Sequence, residues 1–269
     1  MKNLFTTVFI LVLSFNLFSQ SLEYNNNPDN YPRKYYSVSF ATGLRTLNAQ
    51  NGNLVINFYD NNNNLVKTIT SDIEGNYLQP AFYFALNKGK YTGLAHRLFF
   101  DYTSGKQKSG GMGYSLSWNF PFQFKNTYLV LRTGVYVMIG NTLLNLKTID
   151  NPNSDFHIGS NKFDEKKIRM FLTSDFFAVG PEIEARYFVN RAINAFFLFT
   201  YDLVNTLSKQ QESLKFISTK SNNESGGSNY PLSREDVELI LDGNYLDDIP
   251  FKYGNLRLSI GMSFVWNRL

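Results

Sequence analysis

The 269-residue chain contains no cysteine, which excludes disulfide bonds, thiolate metal sites and a cysteine nucleophile. Its formal net charge is only +4, and no run of five or more basic residues occurs, so the charge pattern does not favour nucleic-acid binding. Phosphate-binding loops, dinucleotide fingerprints and calcium loops are also missing. The sequence therefore predicts a protein with no bound cofactor and no nucleic-acid partner.

Apolar runs long enough for a membrane-spanning helix are missing once the first residues are set aside. Residues 1–20 contain one lysine, an apolar run from Leu4 to Leu13 and a polar end, which is the pattern of a secretory signal peptide. Residues 21–33 are polar and are predicted to form a periplasmic leader. Beyond them no apolar stretch of about 18 residues occurs, so no helix is expected to anchor the chain.

Aromatic residues are abundant: the chain has 25 Phe and 17 Tyr. From residue 34 onward, apolar side chains recur at every second position, which is the period of a β-strand. We predict eight strands, at about 34–46, 77–87, 91–103, 112–121, 127–145, 168–189, 192–205 and from Leu256 almost to the end of the chain. Short turns follow the second, fourth and sixth strands and long loops follow the first, fifth and seventh, so all the long loops lie at one end.

Three local patterns carry further predictions. "LVINFY" and "LVKTIT" around "DNNNN" in loop 47–76 predict a hairpin outside the eight strands, with two additional strands of the same sheet as the alternative. "PLSREDVELILDG" predicts a short helix at 234–242, whose apolar residues either pack on the rim of the strands or bind a partner. Pro80 and Pro181 lie inside strands, and each is expected to mark a bulge or a strand start.

The polar face of the strands is unlike the surface of a soluble protein. The first strand presents Ser37 and Ser39 on this face, and the fourth presents Ser115 and Ser117, small residues that suit a narrow eight-stranded interior. The charged residues on the same face are four of each sign, and buried charges must be paired. We therefore predict a charge network in the lumen formed by Arg97, Asp101, Arg132, Glu182, Glu184, Arg186, Asp202 and Arg257.

The apolar face is then predicted to contact lipid. Aromatic residues gather near the short-turn end, as in the girdles of membrane barrels; they are Tyr36, Phe120, Phe122, Tyr128, Tyr187 and Trp266. Short periplasmic turns and long extracellular loops are also typical of such barrels. Residues 34–269 are therefore predicted to form an all-β, eight-stranded, antiparallel, up-and-down transmembrane β-barrel in the lipid bilayer of the cell outer membrane.

The end of the chain carries a family resemblance. "SIGMSFVW" resembles the terminal recognition signal of outer-membrane barrels, with Ser259, Gly261, Met262, Phe264 and Trp266 at the defining positions, although "NRL" follows the aromatic residue. Together with the signal peptide and the Asn-rich loops, this chain resembles the small outer-membrane β-barrel proteins of Bacteroidota, a group that includes PorT-like proteins. The resemblance implies an outer-membrane location and capture of the last strand by the barrel assembly machinery.

The sequence contains little that points to catalysis, and no catalytic, cofactor-binding or metal-binding residue is assigned. We predict a non-enzymatic surface protein, or an accessory subunit of an outer-membrane assembly or secretion complex, with a protein partner that binds loop 206–252. One alternative is a lipid A-modifying enzyme that uses His157 with a loop serine, since Ser154, Asp155 and Ser160 lie nearby. The other is a secreted lipocalin-like ligand-binding barrel, whose apolar face would point inward.

Overall fold

A computed structural model describes residues 34–75, 77–124, 127–152, 156–158, 161–189, 192–208, 212–218, 228–232, 236–252 and 254–266. The predicted signal peptide and leader lie outside these ranges. The strands are β1 Lys34–Ala49, β2 Gly52–Tyr59, β3 Leu65–Ile73, β4 Tyr77–Lys90, β5 Gly93–Thr103, β6 Gln107–Phe124, β7 Thr127–Asp150, β8 His157–Ile158, β9 Asn161–Lys162, β10 Lys167–Phe188, β11 Ile193–Tyr201, β12 Val204–Leu207, β13 Ser213–Ser218, β14 Ser228–Pro231, β15 Val237–Leu241, β16 Asn244–Tyr245, β17 Phe251–Lys252 and β18 Leu256–Trp266. The described residues include no helix that is long and apolar enough to cross a membrane.

Eight of these strands form a closed ring in the order β1, β4, β5, β6, β7, β10, β11, β18. Every neighbouring pair is antiparallel. The ring closes because β18 pairs with β1 along one edge, from Trp266 opposite Tyr36 to Arg257 opposite Arg45, and with β11 along the other. The prediction of an all-β chain built on eight antiparallel strands is confirmed.

The strands at the long-loop end continue beyond the ring. β7 has 24 residues and β10 has 22, and the first part of β10 pairs with β13 instead of β11. Above them lies a separate four-stranded sheet in the order β16, β15, β2, β3. We call the four-stranded sheet, β13, β14 and residues 141–150 and 167–174 the cap.

The cap has a hydrophobic core of its own. Leu54, Ile56 and Phe58 from β2 are fully buried against Met170 and Leu172 from β10. β2 and β3 are the hairpin predicted in loop 47–76, and they stand outside the ring, as expected. They carry alternating apolar residues because one face of the four-stranded sheet covers this core.

The predicted helix at 234–242 is wrong where the structure describes it, because residues 237–241 form β15. Val237, Leu239 and Leu241 are buried in the cap core, so the apolar residues follow the period of a strand. Asp242 and Gly243 have positive φ values of 50° and 83° and form the turn that leads into β16. An Asp-Gly pair is a strong hairpin signal, and pairing with β2 outweighs the local helix preference.

Pro80 marks no bulge in the register of β4 with β1, whereas Pro181 lies at an irregularity where β10 changes its partner from β12 to β11. Pro80 lies opposite Leu44 in an unshifted β1–β4 register, and pairing of β4 with β5 begins one residue later at Ala81. Pro181 lies opposite Val135, and pairing of β10 with β11 begins one residue later at Glu182. On this side of β10, residues 180 and 181 face residues 201–203, between the pairs Val179–Val204 and Glu182–Thr200. Each proline therefore lies where the ladder on one side of its strand is interrupted, which tolerates its missing N–H.

Candidate functional site: a charged interior within an apolar ring

The two faces of the ring differ sharply in chemistry. Along β5, Leu94, Leu98 and Phe100 on the outer face are exposed, whereas Arg97 and Asp101 on the inner face are buried. The same alternation holds on the other ring strands. Large exposed apolar side chains on their outer faces include Phe40, Phe82, Leu86, Met112, Leu116, Trp118, Val135, Val137, Ile139, Phe177, Ile183, Phe197, Ile260, Phe264 and Trp266.

All eight residues of the predicted lumen network lie on the inner face, and each is at most 3 % exposed. A ninth charge, Arg45, is 1 % exposed and was missed. The signal was present, because Arg45 follows Ser37, Ser39 and Gly43 at even spacing on the inward face of the first strand. The interior thus holds five arginines and four carboxylates in two clusters.

The lower cluster lies toward the short turns and is centred on Arg97. The guanidinium of Arg97 contacts both carboxylates that β10 presents: Nη1 is 3.4 Å from Glu182 Oε2, and Nη2 contacts Glu184. Arg186 contacts the other oxygen of Glu184. Asn87 Oδ1 accepts a hydrogen bond of 2.9 Å from Arg97 Nε, so the amide connects β4 to the ion pairs.

Arg132 is the third arginine of the lower cluster, which has two carboxylates. Its carboxylate contact is Glu182 on the neighbouring strand β10, with Nε 3.8 Å from Oε1. Arg132 also donates to the hydroxyl of Ser117 and, at 3.0 Å, to Asn87 Oδ1. Its Nη2 atom is buried without a hydrogen-bond partner among the described residues. Arg132 is therefore held by polar groups more than by a carboxylate.

The upper cluster lies toward the cap and is balanced in charge. Asp101 Oδ2 accepts hydrogen bonds from Arg45 Nη1 at 2.6 Å and from Arg257 Nη1 at 2.8 Å. Arg45 also reaches Asp202 Oδ2 at 2.9 Å, and the hydroxyl of Tyr136 donates to the same carboxylate. Each carboxylate is thus neutralised by an arginine, as burial requires.

Aromatic residues fill the space around the clusters. Tyr83, Phe99 and Tyr136 belong to one buried apolar group, and the Arg257 guanidinium lies 4.3 Å from the Tyr83 ring centroid. The void beside the upper cluster measures about 10 Å³, close to the space of one water molecule. Tyr128 belongs to a second buried group at the short-turn end, so its assignment to an outward aromatic girdle is wrong. Tyr128 has the same parity as inward-facing Arg132.

The predicted assembly-signal residues lie on β18, between β1 and β11. Ser259 faces inward and accepts a 2.9 Å hydrogen bond from Arg257 Nε. A Cβ at Gly261 would lie 2.2 Å from the carbonyl oxygen of Phe40, so this position requires glycine. Phe264 and Trp266 are exposed on the outer face and Met262 is half-buried. Their role in assembly stays a prediction.

The structure brings no catalytic group together in the ranges it describes. His157 lies in β8, opposite Lys162, while Ser154, Asp155 and Ser160 fall outside the described residues. The described part of the chain contains no group of three His, Cys, Asp or Glu side chains that could hold a metal ion. The predicted use of His157 with a loop serine stays a prediction.

Comparisons with known proteins add little to this geometry. No family model matches the chain, and no curated protein does. Among solved structures, the chain is similar to the outer membrane protease OmpT from Escherichia coli, with 9 % identity, a TM-score of 0.31, and coverage of 92 % of this chain and 100 % of that one. A likeness at this TM-score carries no argument about fold or function.

Proposed function

We propose that this chain is a non-enzymatic outer-membrane β-barrel protein with a side-chain-filled lumen, acting as a surface or accessory subunit of an outer-membrane complex. One observation carries the membrane assignment: the ring buries nine charged side chains and exposes large apolar ones on its outer face. In water this arrangement would leave an apolar surface far larger than soluble monomers expose. In a bilayer it is the expected arrangement.

The height of the apolar surface supports the same assignment. Outward residues run from Leu129 to Ile139 on β7 and from Phe177 to Tyr187 on β10, and most of them are apolar. A tilted strand needs about 9–11 residues to cross a bilayer. The closed ring also leaves none of its eight strands with an unpaired edge in the apolar region, which a membrane-spanning sheet requires.

The filled interior supports an accessory role over transport. Ion pairs and aromatic rings occupy the space through which solutes would pass, so we expect no stable conductance. A partner would then bind from outside the lipid, at the cap. Tyr245 is 71 % exposed and pairs with Ile240, which lies beside Val55 on the outer face of the cap sheet. Tyr245 and Ile240 lie within loop 206–252, the predicted partner-binding segment, and Val55 lies next to that segment in the sheet.

Photo-crosslinking in intact cells tests both parts of the proposal. A photoreactive amino acid replaces Tyr245, and in a matched control it replaces Leu239, which is buried in the same hairpin. After fractionation we expect both variants in the outer membrane in a heat-modifiable form, and a protein adduct only from position 245. Recovery in the soluble periplasmic fraction would contradict the membrane assignment. Absence of an adduct at 245 would contradict the partner role alone.

The geometry supports neither of the two alternative functions, a lipocalin-like barrel or a lipid A-modifying enzyme. A lipocalin-like barrel requires an apolar interior and a polar outer face, and the observed faces are the reverse. A lipid A-modifying enzyme requires a serine and a base to converge at the rim, and no described contact favours this. We therefore propose neither.

A further inference from the structure

Basic side chains collect at the short-turn end of the ring. Lys34 begins β1 at this end, and Lys88 and Lys90 lie at the turn from β4 to β5. The described residues of the segments that join ring strands there include neither Asp nor Glu. The long-loop end contains residues of both signs. A local excess of basic side chains attracts anions, and a membrane surface supplies them as lipid phosphates.

Lys34, Lys88 and Lys90 share one outward patch. Lys34 on β1 lies directly opposite Lys90 on β4, and Lys88 lies two residues along the same face, opposite Tyr36. All three lysines are exposed. Like charges directly opposite each other on paired strands are destabilising unless an anion lies between them.

The patch lies immediately below the apolar surface. Lys88 Nζ lies 5.7 Å from the Tyr36 ring centroid, and Tyr36 pairs with Trp266 on β18. Leu86, next to Lys88 on the same face of β4, is 44 % exposed. A lipid whose acyl chain lies on Leu86 would place its phosphate within reach of the lysines.

The neighbouring outer faces offer no competing acid. Lys88 lies opposite His96 in the register of β4 and β5, and the His96 ring contacts the Tyr114 hydroxyl. On the described outer faces of β1, β4, β5 and β18, no Asp or Glu occurs. Lysine ammonium groups bind phosphate as point charges, and three of them around one headgroup suit an anionic phospholipid.

We propose that Lys34, Lys88 and Lys90 bind the phosphate of an anionic phospholipid in the leaflet at the short-turn end. This inference rests on the proposed membrane location. The bound lipid separates the facing lysines and fixes the depth of the ring in the bilayer, with Tyr36 and Trp266 at the level of the headgroups.

Quenching by brominated lipids tests the site. The chain has two tryptophans, so Trp118→Phe leaves Trp266 as a single probe beside the patch. This protein is reconstituted in vesicles that contain brominated phosphatidylglycerol or, at equal mole fraction, brominated phosphatidylcholine. We expect the anionic lipid to bind next to Trp266 about five-fold more strongly. Exchange of all three lysines for glutamine should remove this preference.

The control exchanges Lys106, Lys166 and Lys167 for glutamine at the opposite end and should leave the preference unchanged. In the parent protein, high salt should weaken it, which tests the site even if the triple variant fails to fold. Equal quenching by the two lipids, or a preference that survives in the folded triple variant, would overturn the lipid site alone. Loss of the preference on adding inorganic phosphate at constant ionic strength would assign the patch to a free anion. No quenching by either lipid would overturn the membrane location itself.

Discussion

Arg97→Ala should lower the free energy of unfolding by about 3–5 kcal/mol, the range found when one partner of a buried ion pair is removed. Arg97 is the residue that contacts both Glu182 and Glu184, and all three side chains are at most 2 % exposed. Its loss leaves Glu182 with one described ion-pair contact, the 3.8 Å contact to Arg132, and the hydrogen bond from the Ser115 hydroxyl. Denaturant unfolding of the reconstituted protein, monitored by tryptophan fluorescence, gives the value.

Two comparisons make this prediction specific to buried charge. Lys106→Ala removes an exposed ion pair with Glu74, 2.7 Å long, and should cost no more than about 1 kcal/mol. Arg132→Ala should lower the free energy of unfolding by about 1–3 kcal/mol. It leaves polar groups without hydrogen-bond partners, but it leaves no carboxylate without an arginine. If Arg97→Ala is as stable as the parent protein, the inward placement of the network is incorrect.

Val135→Arg should destabilise the protein in a bilayer by about 2–4 kcal/mol, the cost of a basic residue near the midplane of a membrane barrel. Val135 is 59 % exposed on the outer face, close to the middle of the apolar span of β7. In a soluble protein the same substitution would place a charge in water, at almost no cost. Equilibrium unfolding from vesicles measures the difference.

The matched substitution is Thr148→Arg, which places the same side chain at an exposed position of the same strand within the cap. Its cost should be about 0–1 kcal/mol, because the effect falls with distance from the midplane. Equal costs at positions 135 and 148 would contradict a membrane-embedded outer face.

The ring could be predicted from sequence because its strands are long and their two faces differ in chemistry. A period of two over ten residues fixes both the strand and the orientation of its side chains. Arg97, Asp101, Glu182 and Glu184 stood out because charges are rare among apolar neighbours. Arg45 was missed although its parity matches that of Ser37, Ser39 and Gly43. Tyr128 was misplaced because it lies at the start of a strand, where few neighbours reveal the alternation.

The cap could be predicted only in part. The β2–β3 hairpin is local and carries its own turn signal. β15 pairs instead with β2, about 180 residues earlier in the chain, and a short apolar segment such as 237–241 suits either a helix or a strand until that partner is known. The contact between Arg132 and Glu182 could not be predicted from sequence either, because it depends on the register in which β7 pairs with β10.

The absence of cysteine allows a direct measurement of which face of the ring meets lipid. Single cysteines at positions 135 to 139 of β7 carry a spin label, and its collisions with oxygen and with a water-soluble nickel chelate are compared in vesicles. Labels at 135, 137 and 139 should collide with oxygen and be shielded from nickel, whereas labels at 136 and 138 should be shielded from both. Nickel access at 135, 137 and 139 would show that water covers the outer face, and the membrane assignment would be wrong.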